Sequence, residues 1–261
     1  TALDCSAVAA IHPFYTASVR EFDAAGRPVV GSAPVGVEGT EAWLQSIGAA
    51  CNVPQAQIDA AKNRFLPMIG SVLAATPIKG RITVSGYEGS ELLVARLLIE
   101  SGAEVPYVGT ACPKTPWSAP DLAWLQARGV HVQYRASLEQ DVAAIREFRP
   151  DLAIGTTPVV QAAKEAAIPS LYFTNLISAR PLMGPAGAGS LAQVINAALG
   201  NKGRFDRMRG FFDGVGTAHA AGVWESGEGA AGVPQDRPEF KAETRRQVIK
   251  IMKRRKAEEM I

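Results

Sequence analysis

From about residue 79 onward, short apolar runs alternate with longer segments whose apolar residues recur every three or four positions. The short runs predict buried strands, and the longer segments predict amphipathic helices. The predicted strands are RITVS, EVPYVGTA, HVQYR, DLAIGT and SLYFTN, and helical segments such as SELLVARLLIESG and SLEQDVAAIREFRP lie between them. Strands that alternate with helices form βαβ units with right-handed crossovers. The pattern therefore predicts one parallel, Rossmann-like sheet between about Lys79 and Asn175.

Before residue 79 the apolar pattern is less regular. VVGSAPVGVEG predicts a strand, GTEAWLQSIGAACN predicts a helix with Thr40 as its N-cap, and the segment after Pro54 predicts a long helix kinked at Pro67. We assign residues 1–78 to part of a second α/β domain that ends in this long connecting helix. Because the opening ALDCSAVAAI predicts a buried strand or loop, we expect the chain to be a piece of a longer protein.

After the predicted sheet, the sequence is rich in glycine and proline. It predicts a polar loop from Ile177 to Gly189 and a helix that begins at Ser190. We assign residues 79–200 to the Rossmann-like domain and residues 201–261 to C-terminal helices. The end of the chain is basic, with nine Lys and Arg against five Asp and Glu in residues 236–261. Such a segment forms either a solvated helix or a surface that docks onto a partner subunit.

Composition excludes several classes of function. The formal net charge of the 261 residues is only +2, which gives no electrostatic reason to expect binding to nucleic acid or to a membrane surface. No apolar run approaches the roughly 20 residues of a membrane-spanning helix. The three cysteines, Cys5, Cys51 and Cys112, are far apart and form no C-x-x-C motif, so they predict neither a disulfide framework nor a metal site. A reducing cytoplasm fits this usage.

The loops after the predicted strands are the candidate ligand site, because open α/β sheets bind ligands at the carboxyl ends of their strands. These loops contain GYEG, GTACPKTPW, GTTP and TNLISARPLMGPAGAG, and none of them carries a phosphate-binding motif. In VSGYEG an acidic side chain stands where a phosphate would bind, which argues against a nucleotide. We expect a cavity for a large, flat and mostly apolar ligand.

Several side chains in these loops have two interpretations. Glu88 and Tyr87 line the cavity, where Glu88 could supply a proton, or Ser85 and Glu88 form a capping box for the next helix. Arg180 pairs with a ligand carboxylate or lies at a surface or interface. Met183 contacts the ligand or fills space. His131 lies in a predicted strand and is structural.

The order of these segments resembles the catalytic subunits of nitrogenase-like oxidoreductases. The resemblance rests on RPVVGSAPVGVEGTEAWLQSIGAAC, GRITVSGYEGSELLVARLLIESGAEVPYVGTA, RPDLAIGTTPVVQAAKEAAIPSLYFTN and RPLMGPAGAGSLAQVINAAL. Within this family, the segments TALDCSAVAAIHPFYTASVREF and GTAHAAGVWE are most similar to the Y-type subunits that act on chlorophyllide a in bacteriochlorophyll biosynthesis. The resemblance implies that Gly86 and the loop from Asn175 to Gly184 line the cavity, together with Tyr87, Glu88, Arg180 and Met183. It also leaves the role of an axial magnesium ligand open to His12 or His219.

The resemblance also implies a reaction and its partners. In this family a separate ATP-dependent iron–sulfur protein passes single electrons to a [4Fe–4S] cluster in a heterotetramer of Y-type and Z-type subunits. The substrate double bond, C7=C8 of chlorophyllide a, then takes up two electrons and two protons. The cluster ligands of the family are mainly N-terminal cysteines, which Cys5, Cys51 and Cys112 do not match. We therefore expect no complete cluster site in this chain.

Two alternatives to this interpretation remain open from the sequence. The first is the N-type subunit of a protochlorophyllide reductase, whose substrate differs by one ring reduction. The second is a two-lobed binding protein for tetrapyrroles or metal chelates, because such proteins share strand–helix–strand units similar to PDLAIG followed by AAKEAAIPSLYF. Either alternative keeps the Rossmann-like sheet and changes only what the chain does with its ligand.

Overall fold

The computed structural model of the chain describes residues 4–11, 14 and 16–211. Their main feature is a five-stranded sheet, which is entirely parallel and has the strand order β5-β4-β3-β6-β7. The strands are β3 (Arg81–Gly86), β4 (Glu104–Thr110), β5 (His131–Tyr134), β6 (Leu152–Gly155) and β7 (Ser170–Tyr172). The prediction of one parallel α/β sheet is confirmed.

Helices cover both faces of this sheet. They are α4 (Glu91–Glu100), α5 (Ala119–Gln126), α6 (Leu138–Phe148) and α7 (Thr157–Glu165). Neighbouring residues of β6 show the two faces, because Leu152 and Ile154 pack in the core cluster that contains α4, while Ala153 packs with Ile145 of α6 and Val159 of α7. A strand covered on both faces is apolar throughout, and β6, whose four residues are all buried, accordingly appears in the sequence as the continuous run LAIG.

The chain changes direction across the sheet at its central strand. From β3 it runs outward through β4 to β5, and it then returns to place β6 on the other side of β3. The loops after β3 and β6 therefore leave the sheet towards opposite faces. This reversal is a topological switch point, where parallel sheets form ligand-binding crevices.

The segment after β7 differs from its prediction. The strand ends at Tyr172, and Phe173–Ser178 form a short helix, α8. The predicted loop from Ile177 to Gly189 is wrong, because α9 already begins at Gly184 and ends at Leu199. Pro185 occupies the first turn of α9, a position that helices favour. Gly187 is needed there, since a Cβ at this residue would lie 2.4 Å from the backbone carbon of Leu182.

The first part of the chain shares the core of the sheet. It contains β1 (Val8–Ala10), α1 (Thr16–Ala24), β2 (Val29–Gly31), α2 (Gly36–Ala50) and α3 (Gln55–Ala75), and β1 pairs with β2 in parallel. Helix α2 packs on α3 and α4, and α3 packs on α9. Thr40 is not the N-cap of α2, which begins four residues earlier; its hydroxyl instead donates to the Gly36 carbonyl. Helix α3 continues through Pro67.

Residues 1–208 form one compact unit, and residues 209–261 form a second unit that lies almost wholly outside the described residues. The domain boundaries expected near residues 78 and 200 stay predictions. Helix α10 (Lys202–Phe211) follows α9. The basic terminal segment, His12 and His219 lie outside the described residues. Among the described helices, none is long and apolar enough to cross a membrane.

A buried carboxyl group joins β4 to α6. The Tyr107 hydroxyl donates to Asp141 Oδ1 at 2.8 Å, and burial raises the pKa of Asp141 from 3.8 to about 6. The contribution of this group to stability is complete below the unfolded pKa of 3.8 and is lost as the pH rises through the folded value of about 6. With about 1.36 kcal/mol per pKa unit, the free energy of unfolding should fall by about 1 kcal/mol between pH 5 and pH 7.

Urea titrations of wild type and of Asp141→Asn at these two pH values measure this effect. We expect the asparagine variant to lose most of the pH dependence. Glu139→Gln removes an exposed carboxyl group from the same turn of α6. Its free energy of unfolding should change between pH 5 and pH 7 by the same amount as that of wild type. If the free energy of unfolding of wild type and of Asp141→Asn changes equally between the two pH values, Asp141 titrates as an ordinary surface carboxyl group.

Candidate functional site

A cleft with a volume of about 420 Å³ lies at the carboxyl ends of β3 and β4. We call it the sheet-end cleft. Its walls come from the loop after β3, from the loop after β4, from α8 and from the segment before α1. The lining residues are Phe14, Tyr87, Glu88, Ser90, Cys112, Pro113 and Ile177. The volume lies within the range of about 300–1,000 Å³ that small-molecule sites occupy.

The loop between β3 and α4 forms the polar wall of the cleft. Gly89 has a positive φ of 89°, and a Cβ at this residue would lie 2.6 Å from the Phe14 ring. Only glycine adopts this conformation readily and leaves that space to the ring. The turn leaves the Tyr87 side chain 61% exposed and places Glu88 at the cleft, where its Oε1 accepts a hydrogen bond from Thr174 Oγ1 at 2.5 Å.

Beneath this loop lies Glu91, which the sequence analysis did not identify. Glu91 has no exposed surface, and its carboxylate accepts hydrogen bonds from the backbone N–H groups of Glu88 at 2.8 Å and Gly89 at 2.9 Å. The Thr110 hydroxyl donates a third hydrogen bond to it at 3.0 Å. Burial raises the pKa of Glu91, against the opposing effect of these donors. The sequence did contain one sign of this residue, because an acidic side chain in the first turn of a predicted helix often binds backbone N–H groups there.

The capping box between Ser85 and Glu88, the alternative to cavity lining, does not form. The Ser85 hydroxyl donates to the carbonyl of Ile154 on the neighbouring strand β6 at 3.4 Å. The Glu88 carboxylate accepts its hydrogen bond from Thr174. Helix α4 begins at Glu91, with Ser90 at its N-cap position. The Ser90 hydroxyl is almost fully buried and has no hydrogen-bond partner in the described part of the chain.

The loop after β4 forms a second wall of the cleft, next to the loop after β3. Its backbone is tied to β3, because the Ala111 N–H donates to the Gly86 carbonyl at 3.0 Å. The Cys112 N–H donates to Thr110 Oγ1 at 3.2 Å, so Thr110 bonds both to this loop and to Glu91. Burial raises the pKa of the Cys112 thiol, which keeps it protonated near neutral pH. Cys112 and Pro113 therefore contribute apolar surface rather than a nucleophile.

The structure brings together only some of the predicted site residues. Tyr87 and Glu88 line the sheet-end cleft, and Gly86 lies buried directly beneath their loop. Asn175 is exposed on α8, Arg180 follows that helix, and Met183 is 38% exposed before α9. These last three residues are not among those that line the cleft, so their role in binding stays a prediction.

The described residues do not fit an iron–sulfur cluster. Cys5, Cys51 and Cys112 are free thiols. Across residues 4–11, 14 and 16–211, no three His, Cys, Asp or Glu side chains come together in a way that could hold a metal ion. His131 lies on β5 as predicted, and its ring stacks on Tyr107 with the centroids 5.8 Å apart.

Comparisons with known proteins give the family of this sequence. A family model described as nitrogenase component 1 type oxidoreductase matches residues 1–199. The chain is 65% identical over 260 residues to the chlorophyllide reductase 52.5 kDa chain of Cereibacter sphaeroides and 64% identical to that of Rhodobacter capsulatus. Each alignment covers 100% of this chain and 51% of the relative, so the chain spans about half the length of these curated relatives.

A more distant relative is a subunit of a different reductase. The light-independent protochlorophyllide reductase subunit N of Synechococcus sp. (strain CC9902) is 27% identical over 192 residues. That alignment covers 72% of this chain and 46% of the relative. The similarity is therefore much weaker than that to the two chlorophyllide reductase chains.

The geometry under the loop predicts the effect of a methyl group at Gly86. A Cβ there would lie 2.5 Å from Glu91 Oε1 and 3.0 Å from the Phe173 ring, both of which are buried. Gly86→Ala should therefore destabilise the fold by about 1–3 kcal/mol, because the carboxylate and the ring must move. Chemical denaturation of the purified chain measures the loss.

Gly70→Ala is the matched control for this substitution. Gly70 lies inside α3, and its Cβ would meet only a methyl group of Val37, at 3.8 Å. Replacing a helical glycine with alanine should stabilise the chain by up to about 1 kcal/mol. A Gly86→Ala variant as stable as Gly70→Ala would contradict the close approach at β3.

Proposed function

Because the chain belongs to the nitrogenase component 1 type oxidoreductase family, we propose that it is part of the Y-type catalytic subunit of a chlorophyllide a reductase. The enzyme would reduce the C7=C8 double bond of chlorophyllide a in bacteriochlorophyll biosynthesis. The observation that carries the proposal is the 65% identity to a chlorophyllide reductase chain, which extends over 100% of this chain. The N-type subunit of protochlorophyllide reductase is the second candidate, and 27% identity over 72% of the chain favours it less.

Membership of the family implies iron–sulfur chemistry in general. In the proposed enzyme, which is driven by ferredoxin, an ATP-dependent iron–sulfur protein supplies single electrons. A [4Fe–4S] cluster in the complete assembly with a Z-type subunit would supply the electron transfer to the substrate, and we assign none of its ligands to the described residues. Two electrons and two protons convert C7=C8 into a CH–CH bond. The residues of this chain bind one part of the macrocycle and deliver a proton, in the cytoplasm.

The composition of the sheet-end cleft supports the binding role. Phe14, Tyr87, Pro113 and Ile177 offer apolar and aromatic surface to a flat ring. Burial of such surface contributes roughly 25 cal/mol per Å², so binding depends on contact area more than on any one polar group. A tetrapyrrole or metal-chelate receptor would need the same surface, but the match to an oxidoreductase family favours the enzyme.

Glu88 is the proposed proton donor. It is the acidic residue among those that line the cleft, and its hydrogen bond from Thr174 fixes the position of one carboxyl oxygen. The second oxygen has no partner in the described part of the chain, so it can carry a proton to a ligand. Gly86, Tyr87, Asn175, Arg180 and Met183 complete the proposed binding residues.

The activity itself is tested with the complete reductase. The full-length protein that contains this chain, assembled with its Z-type subunit and supplied with the iron–sulfur ATPase, ATP and reductant, should convert chlorophyllide a into a bacteriochlorin. The absorbance change of the ring reports the reaction. Protochlorophyllide should not be reduced at a comparable rate, and a preference for protochlorophyllide would instead support the N-type subunit.

In the same assembly, Glu88→Gln should lower the turnover of chlorophyllide a by about 10²-fold or more, because general acid catalysis typically contributes 10²–10⁴-fold. The KM should change little, since the amide keeps the shape of the side chain. Gly86→Val should be more harmful, because its side chain would displace Glu91 and Phe173 beneath the loop.

Glu165→Gln, a change in an exposed side chain of α7, is the control and should keep the wild-type rate. If Glu88→Gln turns over at that rate too, Glu88 is not the proton donor. If Gly86→Val also does so, the ligand does not bind at the sheet-end cleft.

A further inference from the structure

The loop after β3 has the form of an anion-binding site whose N–H groups already have an acceptor within the chain. In α/β proteins, a glycine-bearing turn between a strand and a helix directs backbone N–H groups at a bound phosphate. Here the N–H groups of Glu88 and Gly89 point in the same manner, but they donate to the Glu91 carboxylate from within the chain. The carboxylate lies at the N-terminus of α4, where the helix dipole stabilises negative charge.

The surroundings of Glu91 leave these donors as the groups that offset the cost of burying its carboxyl group. The residue is 0% exposed, and no Lys, Arg or His in the described part of the chain forms an ion pair with it. A buried carboxylate without a cation depends on its hydrogen bonds, and each lost donor or acceptor costs free energy. The loop and the carboxylate therefore hold each other in place.

The same carboxylate connects the two walls of the sheet-end cleft. One side of it binds the loop that carries Tyr87 and Glu88, and Thr110 links the other side to the Cys112 N–H. The distances along this path are 2.8, 3.0 and 3.2 Å, so it is an unbroken chain of hydrogen bonds. A shift of Glu91 would move the backbone of Glu88 relative to the wall that contains Cys112.

We propose that Glu91 is the positioning residue of this site: its carboxylate occupies the anion position of the loop, excludes phosphate from it and holds the two walls of the cleft in register. It touches no ligand, and it acts on the reaction through Glu88. The statement about the anion position stands on the contacts alone. The effect on turnover rests on the proposed function.

Removal of the carboxylate tests the anion position directly. In Glu91→Ala the N–H groups of Glu88 and Gly89 lose their acceptor, and the midpoint of thermal unfolding should fall by roughly 5 °C or more. Added formate should bind in the vacated position and raise that midpoint in a saturable manner, beyond the effect of sodium chloride at equal ionic strength. Wild type and Glu91→Gln, in which a side chain still fills the position, should show no such response.

Inorganic phosphate is the second probe. Glu91→Ala should be stabilised by phosphate in the same way as by formate, whereas wild type should not be. Glu91→Ala with an unchanged midpoint, or with no response to either anion, would overturn the proposal. If Glu91→Ala is recovered folded only when formate is present, that recovery itself supports the proposal, and recovery that is equally poor with formate and with chloride opposes it.

The positioning role is tested with the complete reductase and chlorophyllide a. Glu91→Ala should lower kcat by at least about tenfold while the KM changes by less than about threefold, because the apolar surface of the cleft is retained, and formate should restore part of kcat. A packing role alone would give no recovery with formate. An assembly whose wild type fails to reduce chlorophyllide a refutes the proposed function, while the anion-binding measurements remain valid for Glu91.

A matched pair at Thr110 tests the link between the walls while leaving Glu91 in place. Thr110→Val keeps the shape and removes the hydroxyl, whereas Thr110→Ser keeps the hydroxyl. We expect Thr110→Val to lower kcat and Thr110→Ser to restore most of it. Equal, wild-type kcat values for both variants would show that the link does not position the site.

Discussion

A carboxylate that has lost all contact with solvent must find its donors inside the protein, and the end of this sheet is built around one such group. Glu91 is fully buried, and its donors come from the loop before it and from the end of β4. Neither wall of the cleft can move without leaving a donor or the charge unpaired, which is costly in a low-dielectric interior. The need for glycine at Gly86 follows, since a side chain there would occupy the space of the carboxylate.

Helix α4 is held by carboxylates at both of its ends. Glu91 binds the loop at its start, and Glu100 near its end accepts hydrogen bonds from the backbone N–H groups of Val37 and Glu38 at the start of α2. Between them, Arg96 forms a buried ion pair with Asp121 of α5 at 2.6 Å. Every residue from Glu91 to Leu98 is buried. Helix α4, which lies next to the cleft, is therefore held by buried packing and by polar contacts at both ends. Such a rigid support suits a site that must hold a ligand in one orientation.

The sequence predicted the central strands well because they are covered on both faces, as the burial of residues 82–86 in β3 and of all four residues of β6 shows. Such strands appear as apolar runs, and a local pattern is enough to find them. It failed after β7, where glycine and proline suggested a loop; Pro185 in fact begins α9, and Gly187 permits a close backbone approach. The sequence marks Glu91 only as an acid in the first turn of a predicted helix; its contact with Thr110 joins residues that are 19 positions apart and could not be predicted from local sequence.

In the candidate site, too, some residues could be predicted from local sequence and others depend on the tertiary fold. Tyr87 and Glu88 were predictable because a loop at the end of a central parallel strand faces the crevice of the sheet. Phe14 was not, because it reaches the cleft from a segment before α1, and only the tertiary fold brings it next to Gly89. Asn175, Arg180 and Met183 belong to a segment that the sequence predicts as a loop over the cavity and that the helices α8 and α9 largely replace.

The chemistry of the sheet-end cleft depends on which reactive and apolar groups its residues provide. The described residues bring no three potential ligands together around a metal ion. What the cleft itself offers is an apolar wall, a carboxyl group at Glu88 and an anion position already filled by Glu91. A phosphate has no place to bind there, whereas a ring that needs protons meets an acid at the edge of an apolar surface. Reduction of a double bond needs both electrons and protons, and this part of the chain is suited to supply the protons.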